Sequence, residues 1–182
     1  MKTIPKRFAL VAACALLAAC STVTVTTDYD RSAPFGQYAS YALAPAAHGQ
    51  TLSPSAEAAL RNSLRAQLAA RGIRETSPAK ADLDVVRHVF LREKLAVQQY
   101  TDWGYGYHGT WPYGFGHYGM WAGAPRTYTE GTLVLDFVDA RTKRLVFRGV
   151  GKAVVGGPES NARKIEEAVA KIVAQLPAGA TR

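Results

Sequence analysis

The C-terminal half of the chain contains two strand-like segments separated by a short loop. The first is GTLVLDFVD, residues 131–139, and the second is RLVFRGVGKAVV, residues 144–155. β-Branched and aromatic residues fill both segments, and the loop from Asp139 to Arg144 is short enough to return the chain directly. This pattern predicts a β-hairpin, so the fold must contain a sheet with a face to bury.

Other segments supply strands and helices around this hairpin. Strand patterns occur at residues 22–30, 38–45 and 81–97, and helical patterns at residues 54–71 and 159–176. Ser53 and Pro54 are typical of a helix start, and Gly72 is typical of a helix end. The order β-β-α-β-β-β-α predicts an α+β fold, a two-layer sandwich of an antiparallel sheet of about five strands with two helices on one face. The helix residues expected to pack on the sheet are Leu60, Leu64, Leu68, Ile165, Val169 and Ile172.

The N-terminus has the pattern of a bacterial export signal. Three basic residues precede an apolar run over residues 8–19, which is shorter than the roughly 20 residues that a membrane-spanning helix needs. The run ends in LAAC, which resembles the lipobox of bacterial lipoproteins. That resemblance implies a signal peptide over residues 1–19, lipidation of Cys20, palmitate among its acyl chains, and a mature domain over residues 20–182. The alternative is a secreted protein cleaved near the same place, with Cys20 unmodified.

Cysteine content and charge fit an envelope protein. Cys14 lies in the apolar run and Cys20 at its end, so the mature chain would have neither a free thiol nor a disulfide. Removing the signal would lower the formal net charge from +8 to +5. The basic residues are scattered, which is typical of an ordinary solvated surface. If they serve recognition, acidic envelope partners such as lipid headgroups, lipopolysaccharide or peptidoglycan fit better than nucleic acid.

A segment at about residues 99–127 combines glycine with aromatic residues and has no charged residue between Asp102 and Arg126. Three interpretations compete: a low-complexity insertion, a surface that stacks on glycans or packs on a protein, and a contact with the membrane interface. The candidate binding residues are Trp103, Tyr105, Tyr107, Trp111, Tyr113, Tyr118 and Trp121. We expect the segment to be a loop that carries any recognition.

The sequence offers little for catalysis. His108 and His117 lie in the aromatic segment without a cysteine or carboxylate between them, and we expect no metal and no cofactor. His88 alternates with apolar residues in a strand, a position typical of a partly buried histidine. Asp28 and Asp30 flank a tyrosine beside a turn, where carboxylates commonly accept backbone N–H groups.

Several stretches together resemble a family of bacterial lipoproteins defined by a domain of unknown function numbered 4136. These are TTDYDRSAPFGQYASYAL (26–43), ADLDVVRHVFLREK (81–94), YTEGTLVLDFVDARTKRLVFRGVGKAVV (128–155) and EEAVAKIVAQLP (166–177). The resemblance implies a lipid-anchored envelope protein with a two-layer α/β domain, and it implies no activity. Family members often have glycine where this chain has Lys143, so a left-handed turn at that position would strain the lysine.

These observations predict a noncatalytic protein of the cell envelope. Ser21 follows Cys20 where lipoproteins retained in the inner membrane of enterobacteria have aspartate, so the resemblance implies the periplasmic face of the outer membrane. The domain would bind or maintain envelope components, with peptidoglycan, lipopolysaccharide or an envelope protein as partner. The alternative is a hydrolase or transferase acting on envelope material, using His88 or His117 with an aspartate.

Overall fold

The computed structural model describes residues 23–45, 48–96 and 126–178. The strands are β1 (Thr24–Tyr29), β2 (Ser40–Leu43), β3 (His48–Gly49), β4 (Arg74–Glu75), β5 (Leu83–Ala96), β6 (Arg126–Asp139) and β7 (Leu145–Val154), and the helices are α1 (Pro54–Ala69) and α2 (Pro158–Ala174). Short 3-10 turns cover Phe35–Gln37 and Pro78–Lys80. The five long strand patterns and both helices predicted from the sequence are confirmed.

The strands form one sheet in the order β1-β7-β6-β5-β2-β4, with β3 also paired to β5. The β1–β7, β7–β6 and β6–β5 pairs are antiparallel, whereas β2–β5, β2–β4 and β3–β5 are parallel. The α+β class is confirmed, but the prediction of a wholly antiparallel sheet is wrong: the sheet is mixed, because α1 connects β2 to β5 as a crossover and leaves those strands parallel. The count exceeds five because β3 and β4 have two residues each, too few to show a periodic pattern.

Helix α1 begins and ends where its sequence signals predict. The Ser53 hydroxyl accepts a hydrogen bond from the Ala56 N–H at 3.3 Å, which satisfies one of the free donors of the first turn. After Ala69 the chain reaches Gly72 with φ of +81°, a left-handed conformation that costs glycine little. The helix therefore stops before β4.

The core lies between the helices and the sheet face formed by the odd-numbered residues of β5, β6 and β7. Its fully buried side chains include Leu60, Leu64 and Leu68 of α1, Val169 and Ile172 of α2, and Leu83, Val85, Leu135, Phe137 and Phe147 of the sheet. Helix α2 approaches β7 so closely that a Cβ at Gly149 would collide with Ile172. The predicted apolar stripes of both helices therefore pack on the same face of the sheet.

The turn between β6 and β7 contains a left-handed lysine. Lys143 has φ of 57°, and its N–H donates to the Asp139 carbonyl at 2.8 Å. The Asp139 carboxylate accepts from the N–H groups of Arg141 and Thr142 at 3.0 and 2.8 Å. Lys143 therefore adopts the left-handed conformation that was expected to strain it, and the Asp139 carboxylate stabilises the turn.

Strand directions divide the domain into two ends. We call one of them the near end. It contains Val23, where the described chain begins, the paired ends of β5 and β6 at Ala96 and Arg126, and the end of β7 at Val154. The far end contains the turn between β6 and β7 and the residues that follow β1. Both helices begin at the near end, since Ser53 and Asn161 line a pocket there with Val23.

Candidate functional site

The predicted lipidation and binding residues lie outside the described residues. This applies to Cys20 and to all seven aromatic candidates between Trp103 and Trp121. Strands β5 and β6 limit the intervening segment to residues 97–125, which begins and ends two residues earlier than the loop expected at about 99–127.

A polar cluster lies on the sheet face that the helices do not cover. Arg148 of β7 donates from Nε and Nη2 to the two oxygens of Asp136 on β6, both at 2.6 Å. His88 of β5 places Nε2 3.3 Å from Asp136 Oδ2, and the Phe90 ring stacks on the imidazole at 6.4 Å and 7°. The hydrogen bond to Asp136 raises the pKa of Arg148 above its ordinary value, which favours the charged pair. The cluster links three neighbouring strands through one carboxylate.

This geometry is better suited to holding strands together than to catalysis. Asp136 is only 6% exposed, and the guanidinium occupies both of its oxygens in a bidentate arrangement. A carboxylate that orients a catalytic histidine must act together with a nucleophile or a substrate-binding group. Within the described ranges, no group of three or more metal-ligating side chains could hold an ion. His88 is partly buried and paired, as the alternation of its strand indicated.

The sequence contained only part of the signal for this cluster. Asp136 and Arg148 are register partners in the predicted hairpin, and Val86 is the β5 partner of Asp136, so His88 is its diagonal neighbour. Residue-by-residue pairing from the loop would place Asp136 opposite Phe147, because it misses the register shift between Phe137 and Val138 that brings Asp136 opposite Arg148.

Asp30 performs the turn role expected of it. Its Oδ1 accepts from the backbone N–H and the hydroxyl of Ser32 at 2.8 and 2.6 Å, and its Oδ2 accepts from Arg144 at 2.7 Å. The bonds from Ser32 are the main reason that the pKa of Asp30 is lowered. Asp28 Oδ1 accepts a hydrogen bond from the adjacent Tyr29 N–H at 2.9 Å. The two aspartates therefore serve the backbone separately and form no paired-carboxylate centre.

An aromatic groove of about 1070 Å³ opens at the far end. The rings of Tyr29, Phe35 and Tyr38 meet edge to face with centroid separations of 6.1 and 6.0 Å. Tyr38 also donates its hydroxyl to Asp139 at 2.9 Å. Burial, followed by this bond to a carboxylate, raises the pKa of Tyr38, so the phenol stays protonated. The groove is wide and open, and its rings support one another and the neighbouring turn.

An apolar pocket of about 210 Å³ lies at the near end, between the sheet and the first turns of both helices. Leu52, Val89, Leu133 and Ile165 contribute aliphatic walls, and Val23 lies at its border. Glycine or alanine occupies five lining positions, and at Gly151 and Ala168 the small residues also allow α2 to pack closely on β7; the five are Ala56, Gly131, Gly151, Ala153 and Ala168. The pocket is concave and mainly apolar, the usual character of a site for an apolar ligand.

The family comparison agrees with this fold. The model of the family described as "Domain of unknown function (DUF4136)" matches residues 25–178. This range includes both helices and all seven strands, apart from the first residue of β1. The chain belongs to the DUF4136 family. The family match therefore covers nearly all of the described sheet and both helices.

Solved structures share the fold at low sequence identity. A DUF4136 family protein from Bacteroides thetaiotaomicron is 15% identical, with a TM-score of 0.55 over 86% of this chain and 96% of that one. A PDZ domain protein from Parabacteroides distasonis is 14% identical, with a TM-score of 0.52 over 95% of this chain and 40% of its own. The PelC dodecamer from Paraburkholderia phytofirmans is 14% identical, with a TM-score of 0.49 over 88% of this chain and 99% of that one. At these identities the likeness concerns the fold alone.

Two further findings concern curated relatives and membrane-spanning helices. No curated protein is similar enough in sequence to count as a relative. Among the described residues, neither helix combines the length and apolarity that crossing a bilayer requires.

Proposed function

We propose that this DUF4136 protein is a noncatalytic component of the cell envelope, lipid-anchored through Cys20 on the periplasmic face of the outer membrane. The observation that carries the proposal is the position of Val23 at the near end, three residues after the lipobox-like cysteine. An extended chain advances at most about 3.6 Å per residue, so Cys20 stays within about 11 Å of Val23. An anchor at Cys20 would hold the near end against the membrane.

The surface of the near end supports this orientation. Leu91 and Leu95 of β5 are 51% and 67% exposed, an unusual position for two leucines on one strand. Arg92 and Lys152 are exposed nearby, on the sheet face that the helices leave uncovered. The leucines lie on the helix side of the sheet and the cations on its other side, so the near end presents both apolar and basic groups, which fit acyl chains and acidic headgroups respectively.

The aromatic segment leaves the described domain at the same end. Ala96 and Arg126 are register partners at the end of the β5–β6 pair, and residues 97–125 connect them. Trp and Tyr favour both the headgroup level of membranes and the faces of sugar rings. We therefore assign partner binding, to envelope glycan or to an envelope protein, to Trp103 and its aromatic neighbours.

The anchor can be tested by substituting the two cysteines separately. In cells given radiolabelled palmitate, the wild-type chain and Cys14→Ser should both be labelled and found in the outer-membrane fraction, because Cys14 lies within the removed signal. Cys20→Ser should lose the label and the membrane association of the processed form. Equal labelling of Cys20→Ser, or unmodified wild-type protein free in the periplasm, would contradict the proposal.

The alternative, a hydrolase or transferase, rests on the 3.3 Å approach of His88 to Asp136. It predicts that replacing His88, His108 and His117 together with glutamine abolishes the phenotype of the intact gene while the protein still folds. The noncatalytic proposal predicts complementation by that triple variant. Arg148→Gln, which disturbs the same cluster without removing a histidine, serves as the structural control.

A further inference from the structure

We infer that the near-end pocket binds one of the acyl chains carried by Cys20. The inference rests on the proposed lipidation and goes beyond it, because it assigns a protein site to part of the anchor. A lipid chain seated in the pocket would join the domain to its anchor by a noncovalent contact as well as by the backbone.

The size and chemistry of the pocket fit an acyl chain. At about 210 Å³, it exceeds an apolar cavity of about 150 Å³ that is known to hold benzene, so it has room for several methylene groups. Leu52, Val89 and Ile165 present aliphatic walls, and the small side chains of Ala56 and Ala153 keep the space open. A flexible unbranched chain suits such a site because it needs no hydrogen-bonding partner from the protein.

The path of the backbone favours the lipid on Cys20 over other apolar ligands. Val23 borders the pocket, and only Ser21 and Thr22 separate it from Cys20. The tether keeps Cys20, the attachment point of the acyl chain, within about 11 Å of Val23 by backbone reach, which gives the chain a high effective concentration at the pocket. A membrane phospholipid has no such tether, and the aromatic residues of segment 97–125 begin beyond the end of β5.

The near end also provides an entrance. Leu91 is 51% exposed and lines the pocket, so an apolar surface leads from solvent into the cavity. Lys164 donates its ammonium group to the Val154 carbonyl at 2.7 Å, where it fixes the adjoining end of β7 against α2. The entrance is therefore bordered by the end of β7 at Val154 and by the exposed Leu91. It lies at the end of the domain that contains Val23.

Photocrosslinking of the intact, lipidated protein tests the inference. Cells expressing the full chain are given a palmitate analogue with a diazirine near its terminal methyl group, and the membranes are irradiated. We expect crosslinks from the lipid on Cys20 to peptides that contain Leu52 or Ile165. Ala153→Phe, which fills the pocket, should reduce these crosslinks at least tenfold, whereas Ala170→Phe on α2, outside the pocket lining, should leave them within twofold of wild type.

The mass of each crosslinked product identifies its source. Pocket peptides joined to a glycerophospholipid, crosslinks from Cys20 to membrane lipids alone, or crosslinks to residues 97–125 in place of the pocket would each overturn the inference. Undiminished pocket crosslinks in Ala153→Phe would also overturn it, and Leu52→Trp provides a second filling variant if Ala153→Phe does not fold. Absence of any analogue on Cys20 would overturn the proposed function together with the inference, so the two failures are distinguishable.

Discussion

The near and far ends of the domain are closed in different ways. At the far end, aspartate carboxylates accept the N–H groups of turns: Asp30 serves Ser32, Asp82 serves Ala39 and Ser40, and Asp139 serves Arg141 and Thr142. At the near end, glycine and alanine line a pocket, and leucines of β5 are exposed. One end is therefore fixed by directional polar bonds, whereas the other contains an apolar pocket.

Asp82 shows how the far end is tied together. Its Oδ2 accepts from the N–H groups of Ala39 and Ser40 at 3.0 and 2.9 Å, and from the Ser40 hydroxyl at 2.6 Å. The bond from the Ser40 hydroxyl is the largest cause of its lowered pKa. Because Asp82 precedes β5 and Ser40 begins β2, this carboxylate fixes two parallel strands at their start. Binding at the near end can therefore occur without disturbing the register of the sheet.

The largest expected effect comes from the core that both ends share. Leu64→Ala removes a fully buried side chain of α1, and we expect unfolding to become easier by about 2–5 kcal/mol. Denaturant titration of wild type and variant measures the difference. Hydrogen exchange should show faster opening at both ends, because the helices hold both to one sheet.

Asn62→Ala, at an exposed position of the same helix, is the matched control and should change stability by less than about 0.7 kcal/mol. A loss below about 0.5 kcal/mol for Leu64→Ala would mean that the α1 stripe does not face the core. Faster hydrogen exchange at one end only would show that the two ends do not depend on the same hydrophobic core.

The second effect is a dependence of the far end on pH. Backbone bonds from Thr142, followed by weaker contributions including the Tyr38 hydroxyl, lower the pKa of Asp139 from 3.8. A lowered folded-state pKa stabilises the fold fully above the unfolded-state value, and this stabilisation is lost as pH falls through the folded-state pKa. We expect Asp139→Asn to cost about 1–2 kcal/mol at pH 7 and to reduce the loss of stability between pH 5 and pH 2.

Glu93→Gln is the control for this prediction, because Glu93 is an exposed carboxylate on the near-end part of β5. Its stability should follow the wild-type pH curve within error. If Asp139→Asn shows the full wild-type acid sensitivity, the far-end turn does not depend on that carboxylate. Urea denaturation at several pH values provides the measurement.

A smaller effect concerns the two left-handed residues of the far end. Lys143→Gly should stabilise the protein by up to about 1 kcal/mol, since φ of 57° strains a lysine. The change also removes an exposed ion pair to Asp84 at 3.0 Å, which we expect to contribute little. Thermal unfolding should show a higher midpoint.

Gly72→Ala is the opposite test, because φ of +81° is unfavourable for any residue with a Cβ. It should destabilise by about 1 kcal/mol, although nothing lies within 4 Å of the added methyl. Lys143→Ala separates strain from charge, since it removes the ion pair and keeps the left-handed conformation. A gain for Lys143→Ala equal to that for Lys143→Gly would show that charge, and not backbone strain, limits this turn.

The sequence predicted features set by neighbouring residues better than features set by distant parts of the chain. Helix caps, turn aspartates and alternating strands depend on neighbours in sequence, so Ser53, Asp30 and the β6–β7 hairpin could be recognised from local patterns. The parallel pairs of β2 and the two-residue strands depend on where α1 returns the chain, which is not a local property.

The near-end pocket left no recognisable pattern. It requires Ala56, Gly131 and Ala153 to face the same space, although they belong to three different elements. Small residues in a helix or strand are also typical of close packing, as at Gly149, so residue type alone does not distinguish a contact from a cavity. The Asp136–Arg148 pair is intermediate, because the hairpin places the two residues on adjacent strands, but their register also depends on the irregularity between Phe137 and Val138.

The smallest expected effect tests whether the near end depends on the aromatic segment. Deleting Trp103 to Ala122 should change the stability of the domain by about 1 kcal/mol or less, since the free energy of loop closure varies slowly with length. Ala96 and Arg126 are paired across β5 and β6, so the remaining residues need only bridge adjacent strands. A variant of full length with the seven candidate aromatics changed to serine separates the effect of length from that of aromatic chemistry.

If the deletion costs more than about 2 kcal/mol, the aromatics contribute to the core, since burying one such side chain is worth about that much. The near end would then be closed by its own chain, and the contrast with the far end would disappear. Preserved stability with loss of binding to peptidoglycan, lipopolysaccharide or an envelope protein in both variants would place recognition in the aromatic residues. Because the acyl pocket is formed by described residues outside this segment, its crosslinks should persist in both variants, so anchoring and recognition can be separated at the same end of the domain.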